Sequence, residues 1–128
     1  MSSIATPTVV LVVEDEALLR YAIAEALREA GFDVVESGTA DHAITQLGLA
    51  RDINVVFTDI QTPGHLSGWD VAEQFRAANA AVMIIYTSGN APDRSRRVAD
   101  SLFFDKPYDV PDVVRACGRR LQAAPFFG

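Results

Sequence analysis

The sequence predicts an α/β domain: a five-stranded parallel sheet with helices on both faces. Three observations carry that expectation. Apolar runs of strand length alternate with helix-spaced segments five times along the chain. The first and third runs are continuously apolar, the pattern of strands buried on both faces. Short connections between the units leave room only for right-handed crossovers, so every strand's carboxyl end falls on one edge of the sheet.

In order, Thr8 to Val13 is a strand that runs into Glu14-Asp15-Glu16. A helix follows, with Leu19, Ile23, Ala26, Leu27 and Ala30 at helical spacing and Gly31 placed to end it. Phe32 to Val35 is the second strand, and Thr39 to Leu49 the second helix, with Ala40, Ala43, Ile44 and Leu47 on one face. The third strand begins at Asn54 and stops on Asp59, before a Pro63-Gly64 turn signal. Residues 68–78 read as a helix with Val71, Ala72 and Phe75 inward. Ala81 to Tyr86 is a strand ending at Thr87-Ser88-Gly89-Asn90. Residues 92–100 are expected to form a short polar fourth helix whose apolar face is Val98 and Ala99 alone. Leu102-Phe103-Phe104 is a brief strand leading to Asp105-Lys106-Pro107. The last helix runs from about Pro111 to Leu121, anchored by Val113, Val114 and Cys117, with Arg119 and Arg120 at the negative end of its dipole.

The chain has 128 residues, 49% of them hydrophobic, enough for one core and one domain. A formal charge of −6 argues against direct nucleic-acid binding and against a polybasic membrane anchor. No secretory signal opens the chain and no apolar run is long enough to span a bilayer, so a cytoplasmic protein is expected. Cys117 is the single cysteine, which excludes an internal disulfide and a multi-cysteine zinc site; a buried structural thiol is expected.

Four of the five strands deliver a polar group to the shared edge: Glu14 and Asp15, then Asp59, Thr87 and Lys106. Individually they have plainer explanations. Asp59 could simply turn the chain, and acids at a helix start favour its dipole. Together, three carboxylates on one edge call for a hard divalent cation, with Mg2+ fitting an all-oxygen set. Lys106, the only lysine in the chain, is a point charge suited to a phosphoryl group beside a carboxylate. No glycine-rich loop follows the first strand to cradle nucleotide phosphates. An Asp59 nucleophile that attacks phosphorus and holds an acyl phosphate fits this set.

These residues carry a resemblance. Val12-Val13-Glu14-Asp15-Glu16, Thr58-Asp59-Ile60-Gln61-Thr62-Pro63-Gly64 with Gly68, Tyr86-Thr87-Ser88-Gly89 and Asp105-Lys106-Pro107 resemble the receiver domain of bacterial two-component response regulators. The match runs from about Thr8 to Leu121, making the whole chain, 1–128, a single receiver domain with short tails.

The resemblance implies a flavodoxin-like (βα)5 sandwich with strand order 2-1-3-4-5. It implies phosphorylation of Asp59 by a histidine kinase or a histidine phosphotransfer protein. Asp15, Asp59 and the backbone carbonyl of Gln61 would bind Mg2+, helped by Glu14. Lys106 would pair with phosphoryl oxygens and Thr87 would hydrogen-bond one of them. Phe103 takes the position of the aromatic that turns inward when Thr87 moves, and the Lys106-Pro107 bond is expected to be cis. Gln61 and Gly89 flank the path of an attacking water. Three positions depart from the family pattern. Thr62 stands where methionine is usual, Ser67 replaces a frequent Asp, and Asp59 to Gly68 is one residue longer than the commonest spacing. An altered loop path is expected, with the phosphoryl chemistry retained.

The chain is read as a stand-alone receiver that assists its own phosphoryl transfer and turns over no external substrate. A separate protein, or a second copy, would read the surface of the fourth helix, last strand and last helix. Arg94, Arg96 and Arg97 either give that surface a basic patch or form a solvated helix face. Phe126-Phe127 is either a docking tail or a packed or disordered end. His42 and His65 receive no role, and Trp69 is expected to pack. Three rival readings remain. A phosphorylation-independent pseudo-receiver would bind without chemistry. A haloacid-dehalogenase-type phosphatase would need a second Asp where Gln61 stands. A flavin module would place phosphate against Glu14-Asp15-Glu16.

Overall fold

The computed structural model describes residues 7–49 and 52–122. Its five strands are β1 (Val9–Val13), β2 (Asp33–Ser37), β3 (Val55–Asp59), β4 (Met83–Ser88) and β5 (Ser101–Asp105). All adjacent pairs are parallel, in the order β2-β1-β3-β4-β5. The helices are α1 (Ala17–Glu29), α2 (Ala40–Ile44), α3 (Gly68–Ala78) and α4 (Val110–Gln122). The tail Phe126-Phe127 lies outside the described residues.

The alternation of side chains along each strand splits the core in two. One layer joins Leu11, Val13, Val56, Ile84 and Tyr86 to Ala40, Ala43, Val71, Ala72 and Phe75 of α2 and α3. The other joins Val10, Val12, Phe57 and Ile85 to Ile23, Ala24 and Leu27 of α1 and Val113, Ala116 and Cys117 of α4. Full burial of such aliphatic side chains is worth about 1.5–3 kcal/mol each, so these two layers hold the sheet between the helix pairs. Cys117 is fully buried, and burial pushes its thiol up to about 12, so it behaves as an inert core residue. Among the described residues, no helix is long and apolar enough to cross a membrane.

Most boundaries fall where the sequence places them. Gly31 leaves α1 with φ +99°, a conformation that favours glycine. Thr39 caps α2 by accepting from His42 N at 3.0 Å. α2 is shorter than the expected span of 39–49. From Thr45 on, i→i+3 bonds tighten the backbone into turns that end at Gly48, φ +80°.

The expected fourth helix over residues 92–100 does not form, which corrects the sequence reading. The segment from Gly89 to Asp100 crosses from β4 to β5 as turns and irregular backbone. Side chains take the backbone groups that a helix would use. Ser88 Oγ accepts from Asn90 N, and Asp93 Oδ1 from Ser95 N, both at 3.0 Å. Val98 N donates to the Tyr86 hydroxyl at 3.0 Å, and Asp100 takes φ +56°.

Three arginines fasten this segment in place of an apolar helix face. Arg94 lies 3.6 Å over the Phe103 ring and pairs with Asp105. Arg96 bridges Asp70 at 3.0 Å and Glu73 at 2.7 Å on α3. Arg97 donates to Ser101 O at 2.6 Å and Oγ at 3.0 Å. The helix-face reading is therefore corrected, because no helix forms here; each guanidinium also engages its own chain, Arg94 and Arg96 through carboxylates and Arg97 through Ser101. Each such surface contact is worth about 0.5–1 kcal/mol. The double variant Arg94→Ala, Arg97→Ala should speed amide exchange across residues 92–100 by about tenfold while β1 and β3 stay protected. Hydrogen-exchange mass spectrometry reads this directly.

Candidate functional site

Residues two apart on a strand share a face, and that period builds the site. Val12, Phe57, Ile85 and Phe104 belong to the α1/α4 layer. Two residues further, past or at each strand's carboxyl end, stand Glu14, Asp59, Thr87 and Lys106. Parallel register keeps them level, with Asp59 paired to Thr87 and Thr87 to Phe104.

Asp59 is 5% exposed and Glu14 1% exposed, so neither carboxylate is solvated as it would be on a surface. Lys106 Nζ donates to Asp59 Oδ2 at 2.8 Å and to Glu14 Oε1 at 3.1 Å. Burial alone would lower the lysine, but these two hydrogen bonds and charges outweigh it and raise it above its ordinary range. Glu14 is raised chiefly by burial, against hydrogen bonds from Glu16 N and Lys106 that favour its charged form.

Glu14 is held on several sides. Its backbone N donates to Ser37 O at 3.0 Å, and Arg20 Nη1 donates to its carbonyl at 2.8 Å. Its carboxylate also accepts from Glu16 N at 3.0 Å, so part of the acidic turn does satisfy the start of α1. Asp15, next in the chain, is exposed. Oxygens of Glu14, Asp15 and Asp59 lie within 4.8 Å of one another, and all three are hard donors, which fits Mg2+.

The loop after Asp59 is pinned at both ends. Ile60 N donates to Thr87 O at 3.1 Å and Gly68 N to Ile60 O at 2.8 Å. Gly68 presses so close that an added Cβ would lie 2.2 Å from Asp59 O. The altered stretch is tied to α2. Ala40 N donates to Thr62 Oγ1 at 3.0 Å, and Asp41 Oδ1 accepts from Leu66 N at 3.0 Å and His65 N at 3.2 Å. Hydrogen bonds from Leu66 N, with His65 N behind them, hold the Asp41 carboxyl below its ordinary range. Gly64, φ +111°, lets the loop pass Asp41. Ser67 opens α3 with its N and Oγ donating to Asp70 Oδ2 at 2.8 and 3.1 Å. Gln61 stands at the mouth of this loop, exposed.

The structure thus brings Glu14, Asp15, Asp59 and Lys106 together, with Thr87 buried beside them. Phe103 lies on the opposite face, with Tyr86 at 5.8 Å and Trp69 at 6.4 Å between ring centroids. Phe104 packs inward with Tyr108, and Trp69 packs on Tyr86. The Lys106-Pro107 bond is cis. His42 bonds Ser37 Oγ through Nδ1 at 2.8 Å, and neither histidine joins the acidic cluster.

Sequence reasoning missed Tyr108, Asp41 and Arg20. The signal for Tyr108 was its place two residues past Lys106 on the site's own face. Asp41 and Arg20 gave none: Asp41 accepts from backbone amides of His65 and Leu66, and Arg20 donates to the Glu14 carbonyl and the Glu36 carboxylate.

An acid pocket closed by one lysine at the edge of a 2-1-3-4-5 sheet defines a receiver-type α/β domain. The family model described as response regulator receiver domain matches residues 10–116, and the chain belongs to that family. It is 31% identical over 116 residues to the transcriptional regulatory protein PdtaR of Mycobacterium tuberculosis, covering 88% of this chain and 56% of PdtaR. The chain thus spans little more than half of that relative. It is 31% identical to the two-component response regulator ORR6 of Oryza sativa subsp. japonica, over 86% of this chain and 69% of ORR6. A crystal structure of a response regulator receiver protein from Sinorhizobium medicae superimposes with TM-score 0.85 at 31% identity, covering 91% of this chain and 96% of that one.

Two outcomes are expected. Gly68→Ala should cost about 1–3 kcal/mol in urea denaturation, because the methyl meets backbone rather than a movable side chain. Glu14→Gln should raise Tm at pH 7 in metal-free buffer. A carboxyl with a raised folded pKa contributes stability that is complete below its unfolded value of about 4.3 and lost as pH rises through the folded pKa. Glutamine escapes that loss, so the gain should vanish in melts below about pH 4.

Proposed function

We propose that this domain is a phosphoacceptor of a two-component or phosphorelay pathway, with Asp59 as the site of phosphorylation. One observation carries the reading: the ammonium of Lys106 sits 2.8 Å from the buried Asp59 carboxylate, within a set of three carboxylates. An acid so placed is a nucleophile with a cation ready for the phosphoryl oxygens, and Gln61 stands where a phosphatase of the haloacid dehalogenase type would carry the Asp that protonates a leaving alkoxide.

A phosphohistidine of a histidine kinase or phosphotransfer protein is the donor. An Asp59 oxygen bonds to phosphorus as the phosphorus–nitrogen bond breaks, and the imidazole leaves with the bonding pair. Lys106 shifts its pairing to the phosphoryl oxygens, and the Thr87 hydroxyl donates to another. Glu14, Asp15, Asp59 and the Gln61 carbonyl would hold Mg2+, which neutralises charge building on those oxygens. Leu18 and Tyr21, 84% and 61% exposed, rise from α1 beside Asp15 and suit an apolar contact with the donor.

The domain assists its own transfer and hydrolysis and turns over nothing else. It works in the cytoplasm, with no nucleic acid bound directly. The output surface is the 89–100 segment, β5 and α4, read by a separate protein or a second copy when phosphate favours a rearranged Thr87 and Phe103.

Intact mass after incubation with acetyl phosphate tests this. The wild type should gain one phosphoryl group only with Mg2+, and Asp59→Asn none. A folded protein that gains nothing under either condition overturns the phosphoacceptor role and leaves a domain that signals by binding alone.

A further inference from the structure

Two hydroxyls at the floor of the site lack partners. Among the described residues, Thr87 Oγ1 and the Tyr108 hydroxyl are the buried side-chain polar atoms with no hydrogen bond. A buried hydroxyl left unpaired forfeits its bonds to water with nothing in return, so such a pair needs a reason.

Their placement supplies one. The Tyr108 ring packs edge-on against Phe57 at 5.8 Å and against Phe104 at 6.2 Å. Those phenylalanines stand two residues before Asp59 and Lys106 on the same face, so the phenol lies beneath the acid–lysine cluster. Its hydroxyl is near enough to feel Glu14, Lys106, Asp59 and the Thr87 hydroxyl, though the last contact falls short of ordinary hydrogen-bond geometry. Burial, reinforced by the Glu14 charge, holds the phenol above its ordinary range, so it stays a donor at working pH.

A threonine hydroxyl has one proton and two lone pairs. When Thr87 gives that proton to a phosphoryl oxygen, its own buried oxygen needs a donor. Lys106 is engaged by the carboxylates at rest and by the phosphoryl oxygens after transfer, and the Phe57 and Phe104 side chains have no polar atoms to offer. We infer that Tyr108 is a positioning residue for phosphoryl binding: its hydroxyl donates to Thr87 Oγ1 and thereby commits the Thr87 proton to the phosphoryl group on Asp59. The two bonds run in one direction and polarise each other. The Thr87 hydroxyl has both its oxygen and its proton engaged only when a phosphoryl group is on Asp59, so that state is favoured over the resting one. The inference rests on the phosphoacceptor reading of Asp59.

The test is calorimetric titration with beryllofluoride, a phosphoryl mimic, at saturating Mg2+. Tyr108→Phe should weaken binding by roughly three- to tenfold, the worth of one hydrogen bond. Its Mg2+ affinity should match wild type, and its resting Tm should be equal or higher, since an unpaired hydroxyl is gone. A merely structural tyrosine would lower Tm instead. In a Thr87→Val background the same change should have no further effect. Unchanged beryllofluoride affinity in Tyr108→Phe, or an equal loss without Thr87, overturns the relay. A wild type that binds no beryllofluoride overturns the phosphoacceptor reading and the relay together.

Discussion

The pairing of Lys106 with Asp59 and Glu14 is the constraint around which the rest of the domain is arranged. Two carboxylates taken out of water at a sheet edge repel each other and each forfeit hydration worth several kcal/mol. Burial outweighs what the shared ammonium returns, which is why Glu14 remains harder to ionise than an exposed glutamate. The cluster is short of positive charge, a state that favours a divalent cation.

Holding that cluster takes most of the connecting structure. Arg20 and Ser37 fix the backbone of Glu14, Gly68 presses α3 onto the backbone of Asp59, and α2 ties down the loop through Thr62 and Asp41. None of these groups would touch a phosphate. Each limits the freedom of one that would, and misplacement by an ångström is what such sites cannot tolerate. The cation–π contact of Arg94 plays the same part on the far side of the sheet, covering Phe103 and closing a crossover that has no helix.

That missing helix sets residues 89–100 apart from the rest of the domain in physical character. The α1/α4 layer and the α2/α3 layer are apolar and interlocked. Residues 89–100 add only Ala91 and Val98 to the apolar packing and rest otherwise on ion pairs, side-chain caps and two arginine contacts with the Phe103 ring, forces that weaken with salt and local motion. A segment built that way opens at lower cost than the apolar layers, and it meets the ring of Phe103 through Arg94 and the hydroxyl of Tyr86 through Val98 N.

The sequence by itself determined the strands, their parallel arrangement and the identity of the acid and lysine groups, because burial on both faces and strand-end polarity are written in local pattern. Residues 68–78 form a helix at the span the pattern predicts, and Asp59 closes its strand as expected. The tertiary structure alone decided whether residues 92–100 would coil into a helix, since Val98 and Ala99 offer too little apolar surface and the competing partners of the arginines lie on α3 and β5. It alone revealed Asp41 as a loop clamp and Tyr108 as an unpaired hydroxyl under the site. Those roles depend on which groups meet across the fold, and a distance between residues far apart in the chain has no local signature.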